Sequence, residues 1–334
     1  MRCWGATCKL RQTRECGCPD KSAATDMPET LIVPQPGNRL LFFAPVAAGR
    51  GYYRLAVRMA LIVLCALAVA ACGFGETDSE RGSSTEKEDY AHEMLDAVLW
   101  QQLSAEYVAV TTQTYRLAKE QLQKALRDRS WTAALEQSGA YADLPPAVML
   151  DLDETVFDNT RYEARIINQH QRYSGETFSR WCMESDVAAV PGVKEFLDYA
   201  QSQGVAIIYY SSRKELLRDC TLASLRKLGV PVSAERNTLL LNDGTKKAEY
   251  RASVARHYRI LLLIGDSLED FVEGSKAPLA ARNALSNEYT DYWGSKWIML
   301  PNPMYGHWEA TLYDFNYRLP RKQKIERKRA ALKE

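Results

Sequence analysis

From Glu88 to Gln137 the apolar positions Leu95, Val98, Leu99, Leu103, Tyr107 and Val110 recur at steps of three and four. No Pro or Gly interrupts them, which is the pattern of a helix with one buried face. Beyond residue 140 the pattern changes. Short apolar runs stand at 147–152, 205–211 (VAIIYYS), 237–241 (NTLLL), 260–265 (ILLLIG) and 297–300 (WIML). Helical stretches lie between several of them, such as KEFLDYAQSQG and KELLRDCTLASLRKLG, the latter stopping at Gly229. Runs that do not alternate, separated by helices, predict an α/β fold with a parallel sheet covered on both faces. The folded region is expected over 88–334, with a helical part at 88–140 and a sheet-bearing core at 145–315. The interval 156–200 has room for a small helical cap.

The N-terminal third reads differently. Residues 1–56 carry Cys3, Cys8, Cys16 and Cys18 without a usual metal-ligand spacing, then a Pro/Gly-rich stretch. They are expected to be disordered, or to lie upstream of a true start near Val57 or Met59. Arg54 and Arg58 precede a thirteen-residue apolar run, Met59–Ala71, too short to span a bilayer but suited to a signal peptide. Val69-Ala70-Ala71-Cys72 resembles a bacterial lipobox, so 57–72 is expected to be a lipoprotein signal and Cys72 its lipidated residue. Residues 73–87 read as a flexible tether. Gly73 follows the cysteine, where aspartate would retain a lipoprotein in the inner membrane. The expected location is therefore the outer membrane, with the folded domain in the periplasm or at the cell surface.

Composition narrows little: 46% apolar, 25% charged and a net charge of +1 describe an ordinary folded chain. The balance gives no reason to invoke nucleic acid. The basic tail RLPRKQKIERKRAALKE reads as a solvated helix face. Cys182 and Cys220 fall in the folded part and are read as free structural cysteines. Nothing in the sequence fixes an oligomeric state.

The chemistry gathers where strands end. Asp151 and Asp153 share a face at the end of the first strand, since strand side chains alternate. The second strand ends in Ser211-Ser212-Arg213. The third leads through Asn242-Asp243-Gly244 to Lys246 and Lys247 at a helix start, where the helix dipole disfavours cations unless an anion is near. The fourth runs into GDSLEDF, giving Asp266 and Asp270, which share a face if a helix begins there. Convergent carboxylates repel unless a cation joins them, and hard oxygen donors suit Mg²⁺. Acidic residues at strand ends also cap helices, but four such ends in order, with lysine at a helix start, describe a phosphate site.

DLDET, SSR, a lysine at a helix start and GDSLEDF resemble, in that order, the four motifs of the haloacid dehalogenase (HAD) superfamily. The wider wording DLDETVFDN, AVPGVKEFL, YYSSRKE, GDSLEDF and IMLPNPMYGHWE resembles the class C acid phosphatases, bacterial lipoproteins that include 5′-nucleotidases. The resemblance spans about 93–314 and implies a HAD-like Rossmannoid core with a helical cap. It implies that Asp151 is the nucleophile and forms an aspartyl-phosphate. Asp153 would protonate the leaving alcohol and then activate water. Asp151, Asp266 and the Asp153 carbonyl would hold Mg²⁺, with Asp270 orienting the metal shell. Ser211 and a lysine would bind phosphoryl oxygens, with Thr155, Ser212 and Arg213 completing the substrate contacts. Lys247, seven residues before Val254, fits the family pattern, and Lys246 beside it stays open. The family's second motif often reads Thr-Asn or Ser-Asn, so Ser211-Ser212 is a departure.

Phe178 and Tyr305 stand where nucleotide-hydrolysing members carry rings that stack on the base, and Trp181 is read as core. The expected activity is Mg²⁺-dependent hydrolysis of phosphomonoesters, foremost nucleoside 5′-monophosphates. The alternatives are a broad phosphatase or phosphotransferase without nucleotide preference, and a catalytically silent binding lipoprotein of the same fold.

Overall fold

A computed structural model describes residues 93–232 and 238–334. The signal segment, Cys72, the tether and the four N-terminal cysteines lie outside the described residues. The expected N-terminal helix is two: α1 (Leu95–Leu103) and α2 (Ala105–Arg127). The break falls at Ser104, whose extended backbone and hydroxyl cap α2 by accepting from Tyr107 N at 3.0 Å. A helical period runs straight through such a cap, so periodicity could not show it. After Arg127 the chain is irregular up to β1 (Pro146–Leu150), which shortens the helix expected to reach Gln137.

β2 (Phe157–Asp158), α3 (Thr160–Asn168), α4 (Gly175–Glu184) and β3 (Ala188–Ala189) form the cap, with β2 and β3 paired antiparallel. The chain then alternates: α5 (Val193–Ser202), β4 (Ala206–Lys214), α6 (Arg218–Leu228), β5 (Leu239–Asn242), α7 (Lys247–Ala255), β6 (Arg259–Gly265), α8 (Leu279–Glu288) and β7 (Trp297–Met299). A short α9 (His307–Ala310) and α10 (Arg321–Ala330) follow. No residue of α10 is buried, in keeping with a solvated basic helix.

The five-stranded sheet has the order β5-β4-β1-β6-β7, and every pairing is parallel. This is the α/β architecture that the apolar runs predicted. β1 and β6 are central and covered on both faces: all of β6 is buried, as are Ala147 to Leu150 of β1. That double burial explains why neither strand alternates. One apolar layer joins Leu122, Leu150, Phe196 and Leu225. The other joins Met149, Ile208, Phe271 and Trp297.

One expectation is corrected here. Cys182 and Cys220 are not free: α4 and α6 pack together and bring their Cα atoms to 5.6 Å, and the two sulfurs are bonded. They lie 38 residues apart, so only the packing of cap against core could reveal the pair.

Candidate active site

A parallel sheet directs all its strand ends one way, so residues at or just beyond the C-terminal ends of β1, β4, β5 and β6 meet at one edge, with Ser211 and Arg213 still inside β4. Asp151 follows β1 and is 5% exposed, its backbone N–H donating to Ile264 O at 3.0 Å. Lys247, the first residue of α7, places Nζ between two carboxylates. It donates to Asp151 Oδ1 at 2.6 Å and also to Asp270 Oδ1. Lys246 instead points to Glu273 at 3.3 Å on the exposed surface. The geometry thus separates the two lysines: Lys247 belongs to the cluster.

Asp270 is fully buried, but it sits in a 3₁₀ turn (Leu268–Asp270) rather than on the helix face expected. Its Oδ2 accepts from Ser267 N at 2.9 Å. Gly265 makes this possible: a Cβ there would lie 2.2 Å from Asp270 Oδ2. Asp266 reaches the cleft, where Asn302 Nδ2 donates to its Oδ2 at 2.8 Å. Ser211 is buried, its Oγ accepting from Arg213 N at 3.2 Å, while Ser212 is exposed. Both serines, with Lys246, Lys247 and Gly244, line a cavity of about 480 Å³.

Electrostatics explain why the cluster calls for a cation. Burial raises the Asp151 pKa to about 7; Lys247 opposes the shift, and Asp270 and Asp153 add repulsion. Burial raises Asp266 well above the usual range as well, reinforced by Asp270 and Asp151. Burial disfavours the Lys247 ammonium, but Asp151 and Asp270 outweigh it and hold its pKa high. Four carboxylates gather here: Lys247 pairs with Asp151 and Asp270, Arg213 with Asp153, and Asp266 meets the Asn302 amide. Among the described residues no three acidic, histidine or cysteine side chains already converge as a ligand cage. The ammonium of Lys247 lies where the like charges would otherwise meet. An all-oxygen donor set whose carboxylates are pushed towards protonation by burial and mutual repulsion fits a hard divalent ion, for which Asp151, Asp266 and the Asp153 carbonyl are the candidate ligands.

Three predicted contacts fall elsewhere. Thr155 is fully buried away from the cleft, its hydroxyl without a partner and its carbonyl accepting from Tyr115 OH at 2.7 Å. Glu154 before it takes a left-handed φ of 58°, which breaks the strand alternation that would have aimed Thr155 outward. The Arg213 guanidinium turns from the cavity to Asp153: Nε donates to both carboxylate oxygens at 3.1 and 3.0 Å, and Nη2 to Oδ1 at 2.6 Å. Phe178 is only 9% exposed and packs on that guanidinium, 5.1 Å from ring centre to Cζ. The exposed ring beside it is Tyr173 (64%), 5.8 Å away. Trp181 is core, as read. Tyr305 lines a second cavity with Asp266, Met299 and Trp308, and its hydroxyl donates to Glu154 Oε1 at 3.2 Å.

Sequence reasoning missed Glu154, Asn159, Glu163 and Asn302. Glu154 is buried beneath the site, bonded to Gln101 Nε2 and Asn159 N, and burial first, then Asp158, raises its pKa to about 8. Glu163 on α3 is 5% exposed, raised likewise to about 8 by burial and then by Asp153. Asn159 Nδ2 donates to Asp153 Oδ1 at 2.7 Å. Asn159 and Asn302 lie inside the stretches DLDETVFDN and IMLPNPMYGHWE, where amides were legible but carried no assigned role.

The family model described as HAD superfamily, subfamily IIIB (acid phosphatase), matches residues 68–308. A solved class C acid phosphatase from Bacillus anthracis is 32% identical, covering 73% of this chain and 98% of its own, with a TM-score of 0.67. A structure of the class C acid phosphatase from Bacillus anthracis with tungstate bound is 31% identical over the same shares, with a TM-score of 0.65.

Proposed function

Because the chain belongs to the acid phosphatases of HAD subfamily IIIB, and is therefore a phosphomonoesterase, we propose that it hydrolyses nucleoside 5′-monophosphates with Mg²⁺ through an aspartyl-phosphate on Asp151. The observation that carries this reading is the pairing at the end of β1. Asp151 is held at Oδ1 by Lys247, and two residues on Asp153 is held by an arginine.

With Oδ1 tied to Lys247, Oδ2 of Asp151 is the oxygen that attacks phosphorus. The bond from phosphorus to the leaving alcohol breaks as Asp153 gives that oxygen its proton. Asp153 then takes a proton from water, which attacks phosphorus and releases inorganic phosphate from Asp151. Lys247 and Ser211 stabilise the phosphoryl oxygens as charge shifts. Mg²⁺, when bound by Asp151, Asp266 and the Asp153 carbonyl, would supply Lewis-acid neutralisation of those oxygens. Asp270, locked by Lys247 and Ser267, would orient the ligands of that ion. Tyr305, beside a cavity shared with Asp266, is the ring offered to a base. The lipobox ending in Cys72 supports a lipid-anchored form at the outer membrane.

One observation favours the broader phosphatase: Phe178 is nearly buried and committed to Arg213, which takes it out of the ring pair expected with Tyr305. Phosphate release by the purified chain, with and without Mg²⁺, from nucleoside 5′-monophosphates and p-nitrophenyl phosphate decides between them. Mg²⁺-dependent release should vanish in Asp151→Asn. Tyr305→Ala should impair nucleotides more than the aryl ester, since stacking is worth roughly 1–3 kcal/mol per base. Equal losses on both would establish the broader activity. No release from any substrate would leave the binding reading.

A further inference from the structure

The carboxylate of Asp153 is held more elaborately than a surface residue needs. Its side chain is 22% exposed, whereas the guanidinium gripping it is 2% exposed. Three nitrogen–oxygen contacts from Arg213 and a fourth from Asn159 Nδ2 converge on it. The guanidinium is itself enclosed. Phe157 lies 4.6 Å and Phe178 5.1 Å from it, Thr221 Oγ1 accepts from Nη1 at 3.3 Å, and Cys182 Sγ stands 3.7 Å from the same nitrogen. Phe178 and Cys182 come from cap helix α4, Thr221 from α6, and the Cys182–Cys220 disulfide ties those helices together.

A planar fork in this cradle fixes direction as well as charge. Asp153 must reach the leaving oxygen in the first step and water in the second, and an ångström of misplacement weakens both. We propose that Arg213 is a positioning residue, holding Asp153 on the line of the leaving group, and that the cap builds its cradle through Phe178 and the disulfide-linked helices. The inference rests on the acid–base role of Asp153 and deepens it: the cap acts on the chemistry through Arg213.

The test separates positioning from general stability through the leaving group. A phosphate ester of a simple alcohol needs a proton as its bond breaks, whereas p-nitrophenolate leaves without one. In Arg213→Met, rapid-mixing measurement should show first-turnover release of p-nitrophenolate little changed. Turnover of the alkyl ester should fall about 10²-fold, the scale of a lost general acid or a 1 Å misplacement. Added guanidinium ion should restore part of the alkyl-ester rate. Arg213→Lys, which keeps the charge but loses the fork, should show the same selectivity and carries the comparison if the Met variant does not fold. Equal losses on both esters, or none, would overturn the proposal. Asp153→Asn, run alongside, should show the same selectivity more strongly. If it does not, the acid role fails first, and the positioning role with it.

Discussion

Gly265→Ala puts the tightest contact in the site to use. Gly265 ends β6 with no left-handed backbone, so the reason for glycine is space alone. An added Cβ would lie 2.2 Å from Asp270 Oδ2 and 2.5 Å from both its Cβ and Cγ. A new rotamer cannot relieve a clash with Cβ, so the turn itself must move. That turn is anchored: the Asp270 carbonyl accepts from Arg251 Nη1 at 3.1 Å and from Tyr210 OH, and its carboxylate from Ser267 N and Lys247. Overpacking costs about 1–3 kcal/mol, and each buried polar group left unpaired about 1–3 kcal/mol more. With one or two such bonds broken, the variant should lose about 3–5 kcal/mol, a fall of about 1–2 M in urea midpoint. Phosphatase activity should collapse with it, because Asp270 and Lys247 share a hydrogen bond. Gly204→Ala, with nothing near its Cβ but a φ of +71°, provides a control for backbone strain. A Gly265→Ala protein with wild-type midpoint and activity would refute the reasoning.

The two lysines should part company. Lys247→Gln leaves buried Asp151 and Asp270 without their cation, costing about 3–5 kcal/mol in denaturant and about 10²–10³-fold in turnover. Lys246→Gln removes only an exposed pair and should leave both measurements near wild type; matching losses would refute the assignment. Glu163 yields a pH signature. Its pKa rises from 4.5 to about 8 on folding, so the native state keeps a proton that the unfolded chain releases. Stability should therefore fall as pH rises from 4.5 towards 8, by up to about 1.4 kcal/mol per pH unit for this one group. Glu163→Gln should flatten that slope in denaturation at several pH values, leaving the share due to Glu154. A slope unchanged by the substitution would contradict it.

The parallel sheet was legible because β1 and β6 are apolar on both faces, a pattern that only double burial explains. The four strand ends carrying Asp151, Ser211, Lys247 and Asp266 were legible because a parallel sheet sends them to one edge, whatever else the chain does. Side-chain direction was not. Arg213 stands in a motif, and Phe178 at a position, that suggests substrate contact, yet Arg213 turns to Asp153 and Phe178 packs on Arg213, because α4 brings that ring against the guanidinium. Thr155 turns inward because Glu154 adopts a left-handed backbone that no periodicity records. The choice of Lys247 over Lys246 depends on where α7 begins, a matter of one residue. Cys182 and Cys220 bond because two helices far apart in the chain pack together. Local spacing thus determined the elements and the order of the reactive groups, since both follow from backbone geometry and burial. Which group touches which was decided by tertiary packing, since hydrogen bonds and charges act over a few ångströms between segments whose separation in sequence says nothing about their distance in space.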